Sequence, residues 1–235
     1  MGNRALWLLV YFVISSPFLW ASVQPKLVYS GSALQKRISF TFDDGPKSEV
    51  SKQLLDVLKK HHIRATFMVV GKECLLNPEI VIRMKEEGHD VENHSFSHLR
   101  LDTLSDSQIE LELKSTNDII QDLTGKLPIY FRPPGGRYTE RVSVIAAKEN
   151  LSQLMWDVNT GDYSLLIPEA PRKTEADIQS QGTLLLDRVM SHVKNGSIIL
   201  MHNGSIETVR ALPRIIKALQ DKEFEIVPVS ELTIK

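Results

Sequence analysis

The sequence has little cysteine and no excess of charge of one sign. Its 235 residues include one cysteine, Cys74, which excludes an internal disulfide and a zinc site built from several thiolates. Lysine and arginine number 28 and aspartate and glutamate 29, so the net charge is −1 and no positive field attracts nucleic acid. The chain is globular in composition and long enough for one large α/β domain.

The N-terminal segment has the layout of a secretory signal. An apolar run at residues 5–20 follows one basic residue, Arg4, and precedes two small residues. The run is short for a bilayer span and is interrupted at residues 15–17 by two serines and a proline. We therefore predict a secreted or cell-envelope protein. Residues 1–23 are expected to be a cleaved signal peptide or, alternatively, an N-terminal membrane anchor.

After this segment, we predict a polar linker at residues 24–36 and a single domain at residues 37–235. In that domain, strand-like and helix-like segments alternate about seven times, which indicates a mostly parallel sheet. Alternation alone does not distinguish a closed barrel from an open sheet. Residues 152–158 are predicted to form one strand, and the polar stretch 164–182 a surface excursion between elements.

Clusters of polar residues follow five of the predicted strands. Their sequences are "TFDDGP", "ENHSFSH", "YFRPPGG", "WDVNTGDY" and "ILMHNG". In parallel α/β folds, active sites assemble at the carboxyl ends of the strands. The five clusters are therefore expected to meet in one site.

Two of these clusters suggest a metal centre. His94 and His98 are four residues apart, and on one helical turn both rings face the same way, although such pairs are also frequent on protein surfaces. Asp43 and Asp44 can supply a third ligand and a free base, and a cation would offset the repulsion between these adjacent carboxylates. Two histidines, one carboxylate and an open position are typical of a catalytic zinc site. Taken alone, "DDGP" equally fits a simple turn.

The other clusters supply polar groups of different chemistry. Arg132 can pair with a carboxylate, and the Pro-Pro-Gly-Gly loop after it exposes backbone N–H groups suited to an oxyanion. Asp162 can orient His202. Each feature by itself also fits a structural role, as a turn with a surface arginine or a histidine satisfied at a strand end.

In this order, the motifs "ISFTFDDGP", "ATFMVVG", "GHDVENHSFSH", "FRPPGG", "WDVNTGDY" and "SIILMHN" resemble the polysaccharide deacetylase family with the NodB homology domain, carbohydrate esterase family 4. The resemblance runs from about Arg37 to the C-terminus. It implies an α/β fold, a distorted (β/α)7-type barrel, that removes N- or O-acetyl groups from polysaccharides.

The resemblance also implies roles for the residues in these motifs. Asp43 resembles the general base and Arg132 the arginine that holds it, while Asp162 resembles the partner of the acid His202. The ligands of one divalent metal ion, usually zinc but sometimes cobalt or nickel, correspond to Asp44, His94 and His98.

Residues expected at the substrate depart in part from the family pattern. Gly135 resembles the oxyanion donor through its backbone N–H, although an aromatic residue is common there. Leu200 resembles the wall of the acetyl pocket, and Tyr163 replaces a common tryptophan at its rim. Asn159 and Asn203 stand where an aspartate is frequent, which lowers the local negative charge.

The resemblance implies an exported, metal-dependent polysaccharide deacetylase, a hydrolase of linear amides that releases acetate. We expect peptidoglycan as the substrate if the source is a bacterium, with chitin-type oligomers as the next choice. We expect a monomer that contacts a membrane only through an uncleaved N-terminal segment. Two alternatives remain: a xylan-type O-acetyl esterase, and a non-catalytic glycan-binding or wall-assembly protein of the same fold. The second predicts a broken ligand set.

Overall fold

The computed structural model describes residues 25–165 and 175–233, so the predicted signal or anchor at residues 1–23 lies outside the described residues. Within these ranges the chain forms nine strands: β1 (Leu27–Val28), β2 (Arg37–Gly45), β3 (Thr66–Val69), β4 (Asp90–Asn93), β5 (Tyr130–Phe131), β6 (Ser152–Leu154), β7 (Val158–Asn159), β8 (Ile198–His202) and β9 (Glu225–Ile226).

The same ranges contain eight α-helices: α1 (Ser48–Lys60), α2 (Gly71–Leu76), α3 (Pro78–Glu86), α4 (Asp106–Thr124), α5 (Glu140–Lys148), α6 (Glu175–His192), α7 (Ile206–Asp221) and α8 (Val229–Leu232). None of the helices in the described part of the chain is both long and apolar enough to cross a membrane.

All the paired strands are parallel, in the order β1-β6-β5-β4-β3-β2-β8-β7, and β9 pairs additionally with β2. Three residues, 155–157, connect β6 to β7, although these strands lie near opposite edges of the sheet. Such a short connection spans at most about 14 Å, so the two edges must approach each other. The sheet is therefore curled into a distorted barrel, as the resemblance implied.

Strand β2 shows how the sequence pattern places the site. Ile38, Phe40 and Phe42 belong to the apolar core that includes residues of α1 and α7. Successive strand residues point to opposite faces, so Thr41 and Asp43 lie on the other face, where both are buried. The alternation in "ISFTFD" thus packs one face against helices and directs a carboxylate into the barrel.

Three parts of the structure differ from the predicted elements. Part of the predicted linker 24–36 is strand β1, which adds to the sheet edge but is too short to show a period in the sequence. Part of the predicted excursion 164–182 is helical, because α6 begins at Glu175; residues 166–174 lie outside the described residues. The predicted strand 152–158 is broken at 155–157, where the chain crosses between the edges of the barrel.

Candidate active site

The five polar clusters meet at the carboxyl ends of the strands, as predicted. There they surround a cavity of about 390 Å³, lined by Asp43, Asp44, His94, His98, Gly135, Gly136, Trp156, Asn159, Tyr163, Leu200 and His202. A cavity of about 730 Å³ lies beside β1, but its lining contains no histidine or carboxylate. The smaller cavity is therefore the candidate active site.

The two adjacent aspartates reach different partners because the backbone turns between them. Asp43 continues the buried face of β2, and its Oδ1 accepts a hydrogen bond of 2.5 Å from Arg132 Nη1. Asp44 adopts a φ of 73°, a left-handed conformation that is uncommon outside glycine and clusters at functional sites. Its Oδ1 lies 2.9 Å from His98 Nε2. The change in backbone direction at Asp44 therefore places the two adjacent carboxylates in separate environments.

His94 and His98 are brought together as predicted, but by a loop and not by a helical turn. Ser95 and His98 have φ values of 64° and 60°, which interrupt any helix. The N–H groups of Phe96 and Ser97 donate to one carboxylate oxygen of Glu112 on α4, at 2.9 and 2.8 Å. These tertiary hydrogen bonds replace those of a helix. The four-residue spacing therefore predicted the correct pair of histidines but the wrong backbone conformation.

Asp44, His94 and His98 form a set of donor atoms that fits a divalent metal ion. Their ligand atoms all lie within 4.8 Å of one another, and Asp44 Oδ1 is 3.3 Å from His94 Nε2. Two ligands bound at about 2.0–2.1 Å to a tetrahedral zinc ion lie about 3.3 Å apart, so the spacing fits. His94 Nδ1 is 2.8 Å from the Arg132 carbonyl oxygen, to which it donates, and this leaves Nε2 as the ligand atom.

Asp44 retains its negative charge in this cluster. Burial favours the neutral carboxyl, but hydrogen bonds and charges from His94 and His98 outweigh it and hold the pKa of Asp44 well below its usual range. A carboxylate that stays ionised is the form that binds a cation.

Arg132 lies inside the barrel and links two of the clusters. Its side chain is fully buried, and besides Asp43 it donates to the hydroxyl of Thr41 at 3.0 Å. It also donates to the carbonyl oxygens of Leu154 and Met155, at 3.1 and 3.0 Å. These carbonyls lie where the predicted strand 152–158 breaks. The guanidinium therefore satisfies backbone groups at the break and balances the buried charge of Asp43.

His202 is held by a second buried carboxylate. Asp162 Oδ1 lies 2.7 Å from His202 Nδ1, and Asp162 Oδ2 accepts from the His202 backbone N–H and from the Thr208 hydroxyl. Burial lowers the pKa of His202, but the hydrogen bond to Asp162 and its charge outweigh burial and raise that pKa to about 9. The ring is thus kept cationic at neutral pH.

The remaining predicted residues form the walls of the cavity. Leu200 is buried on β8, and the exposed ring of Tyr163 lies 5.9 Å from the His202 ring. Gly135 has a φ of 67°, and a Cβ there would meet nothing within 4 Å, so the cavity is open above it. The roles assigned to these residues stay predictions.

Sequence analysis missed three residues that contribute to the site. Trp156 lines the cavity, and its ring centroid lies 5.4 Å from Cζ of Arg132. Thr208 binds Asp162, and Glu112 holds the histidine loop. Trp156 was visible as the first residue of "WDVNTGDY". Glu112 and Thr208 lie in ordinary helical stretches and carry no local signal.

Glu112 is expected to control metal affinity through the loop that it holds. Glu112→Ala removes the acceptor of the Phe96 and Ser97 N–H groups, so His94 and His98 lose their fixed geometry. Divalent metal affinity, measured by titration of the metal-free protein, should fall about 10- to 100-fold, the scale found for residues that orient ligands. Glu112→Gln, which keeps one acceptor oxygen, should lose less.

The matched control is Glu110→Ala on the same helix, whose carboxylate lies 3.9 Å from Lys148. It should leave metal affinity unchanged. Equal metal affinity in Glu112→Ala and Glu110→Ala would show that the loop does not depend on Glu112.

The chain is similar to known proteins in both sequence and structure. The sequence profile of the family described as polysaccharide deacetylase matches residues 30–154, which is more than half of the chain. The peptidoglycan-N-acetylmuramic acid deacetylase PdaC of Bacillus subtilis is 35% identical over 198 residues, which cover 84% of this chain but 39% of that protein. The chain thus spans well under half of this relative.

Solved structures share the fold. The Bc1960 peptidoglycan N-acetylglucosamine deacetylase matches with a TM-score of 0.80 and 28% identity, covering 93% of this chain and 97% of that one. BA3943 of Bacillus anthracis, described as a CE4 family pseudoenzyme, matches with a TM-score of 0.78 and 29% identity, covering 88% and 69%. The peptidoglycan deacetylases among these proteins are hydrolases of linear amides, which is the enzyme class expected from the sequence. By fold, motif order and sequence similarity, this chain belongs to the polysaccharide deacetylase family.

Proposed function

We propose that this protein is a metal-dependent deacetylase that hydrolyses N-acetyl groups of peptidoglycan sugars and releases acetate. One observation carries the proposal: a single cavity combines the Asp44–His94–His98 cluster with the Asp43–Arg132 pair and the Asp162–His202 pair. Relatives named as peptidoglycan N-acetylglucosamine or N-acetylmuramic acid deacetylases support this choice of substrate.

Asp44, His94 and His98 would hold the cation, which we propose to be zinc, with cobalt or nickel as alternatives. When bound, a divalent ion polarises the scissile carbonyl and the attacking water. The residues of the chain carry out the remaining steps.

Asp43 accepts the proton of the attacking water, with Arg132 holding its carboxylate in place. The developing oxyanion lies near the turn at Gly135, whose backbone N–H is the proposed donor; the N–H of Gly136 is already bonded to Pro133. His202 donates a proton from Nε2 to the leaving amine while its Nδ1 stays bound to Asp162. The products are acetate and an amino sugar.

A non-catalytic role is the main alternative, because BA3943, a structural neighbour, is described as a pseudoenzyme. A mutant of that protein, described as having restored enzymatic activity, has a similar TM-score of 0.78. The complete cluster of Asp44, His94 and His98 in this chain favours catalysis over this alternative. An O-acetyl esterase would use the same site on a different leaving group.

Acetate release from a panel of acetylated glycans, with and without a chelator, tests the proposal. We expect release from peptidoglycan fragments, little from acetylated xylan, and loss of both activities after chelation followed by recovery with added zinc. Release from xylan alone would identify an O-acetyl esterase. No release from any glycan by the metal-loaded protein would favour a non-catalytic role.

The alkaline limit of activity is expected to follow His202. As the proton donor it must be charged, so activity should fall as the pH rises through about 9. Asp162→Asn removes the negative charge and the hydrogen bond to the carboxylate, which are the two largest effects that raise the pKa of His202, so the limit should move well below 9. The measurement is kcat/KM against pH.

Thr208→Val is the matched control, because it removes one hydrogen bond to Asp162 but leaves the charge in place. Its alkaline limit should move by less than about one pH unit. An unchanged limit in Asp162→Asn would mean that His202 is not the acid.

We also propose that the protein is exported to the cell envelope. The basis is the signal-like layout of residues 1–23. N-terminal sequencing of the protein from the producing cell should find a start near residues 22–24 if the signal is cleaved. Recovery of intact Met1 in the membrane fraction would indicate an anchor instead.

A further inference from the structure

A depression in the surface continues from the candidate active site across the starts of α1 and α2. A cavity of about 170 Å³ shares Asp44 and His98 with the main cavity. A third cavity, of about 380 Å³, shares Lys47 and Glu73 with the second and extends to Asn77. The three adjoining cavities together form a groove that leads away from the candidate active site.

The middle of this groove is lined by two lysines, Lys47 and Lys72, and by two carboxylates, Asp44 and Glu73. Lys47 Nζ lies 2.9 Å from Glu73 Oε1, so these two charges balance. The second lysine of the middle cavity, Lys72, is exposed, and within the described residues its side chain has no hydrogen bond or ion pair. Asp44 lies 2.9 Å from His98 and belongs to the proposed metal-binding cluster, so Lys72 is the lysine of the middle cavity that is left to pair with an occupant of the groove.

The position of Lys72 is fixed relative to the metal ligands. Its backbone N–H donates to the carbonyl of Phe96 at 3.0 Å, and the preceding N–H, of Gly71, donates to Ser95 at 3.0 Å. A Cβ at Gly71 would lie 2.7 Å from the Phe96 ring, so α2 approaches this loop closely. Because the loop runs between His94 and His98, Lys72 is held at the edge of the ligand cluster.

We propose that Lys72, with Lys47 beside it, forms a subsite for a carboxylate of the glycan strand, next to the sugar whose acetyl group enters the main cavity. This inference rests on the proposed function and specifies its substrate as an anionic strand. N-Acetylmuramic acid carries a lactyl carboxylate and peptidoglycan stems carry peptide carboxylates, whereas a strand of N-acetylglucosamine alone has none. A lysine opposite a carboxylate favours the anionic strand.

The test compares two forms of one tetrasaccharide of alternating N-acetylglucosamine and N-acetylmuramic acid, with free carboxylates and with the same carboxylates as neutral methyl esters. In Lys72→Ala, the ratio of the KM for the free acid to the KM for the ester should rise about three- to fivefold, the upper range for an exposed ion pair. Lys72→Arg should keep the wild-type ratio. Added salt should reduce the difference between wild type and Lys72→Ala.

Lys114→Ala is the matched control, since Lys114 is an exposed lysine of α4 paired with Asp118 at 3.0 Å and neither residue lines the groove. It should leave the ratio unchanged. A third substrate, the same tetrasaccharide with stem peptides, identifies the source of the carboxylate, because each peptide is joined by an amide to the lactyl carboxyl and brings carboxylates of its own. A change with the peptide-bearing strand alone assigns the subsite to the peptide, a change with the peptide-free acid alone assigns it to the lactyl group, and a change with both shows that the subsite accepts either carboxylate.

Failure of this inference can be separated from failure of the proposed function. If acetate is released but Lys72→Ala changes neither ratio, the subsite is refuted and the deacetylase remains. If no substrate releases acetate, calorimetric binding of the same acid and ester to wild type and Lys72→Ala gives the ratio of dissociation constants without turnover. An equal ratio in both proteins would then refute the subsite as well.

Discussion

Asp43→Asn should reduce turnover by about 10²- to 10⁴-fold, the usual contribution of a general base, while still binding one metal ion per chain. Asp43 contacts Arg132 and lies 3.8 Å from the nearer ring nitrogen of His94, outside the compact cluster of Asp44, His94 and His98. Asp44→Asn should instead weaken metal binding, because it removes a ligand, and added metal should partly restore its turnover.

Metal content by mass spectrometry, measured beside acetate-release kinetics, distinguishes the two roles. His94→Ala should behave like Asp44→Asn, because both lie in the same ligand cluster. If Asp43→Asn lost its metal while Asp44→Asn kept both metal and turnover, the roles of the two aspartates would be reversed.

Arg132→Met should destabilise the fold by about 3–5 kcal/mol, the cost of leaving a buried charge without its partner. Arg132 is fully buried and Asp43 is 4% exposed, so water would compensate little for the lost ion pair. The Leu154 and Met155 carbonyls lose their donor as well. Chemical denaturation monitored by circular dichroism measures the free energy of unfolding.

Two further variants make this result specific. Arg141→Met removes a partly exposed arginine paired with Asp106 and should cost less than about 1 kcal/mol. The double variant Asp43→Asn/Arg132→Met leaves no unpaired charge, so it should be more stable than Arg132→Met alone. If Arg132→Met and Arg141→Met had the same free energy of unfolding, the ion pair of Arg132 with Asp43 would contribute nothing to stability.

Much of the candidate site could be predicted because its residues follow strands whose apolar pattern is local. The alternation of Ile38, Phe40 and Phe42 with polar residues marks β2 and its buried face without any tertiary information. Taken singly, Asp44, His94 and His98 also fit turns or surface positions. Their joint occurrence in one motif order favoured a metal site over these structural roles.

The backbone at these residues could not be predicted. Asp44, Ser95 and His98 adopt left-handed backbone conformations, and no local sequence pattern marks these conformations at residues other than glycine. They persist because the surrounding structure compensates, as Glu112 does for the loop of His94 and His98.

The sequence by itself determined the alternation of elements, the strand ends at which the polar residues lie, and the residue types available for chemistry. The hydrophobic periodicity and the order of the elements depend on residues that are close together in the chain, so local sequence patterns predict them. The family resemblance implied the pair of Arg132 and Asp43, but only the tertiary structure decided that these residues, 89 positions apart, are buried together, and that Glu112, 16 positions from Phe96, holds the histidine loop. The break between β6 and β7 likewise depends on the curling of the whole sheet. Such contacts form between distant parts of the chain, so no local pattern specifies them.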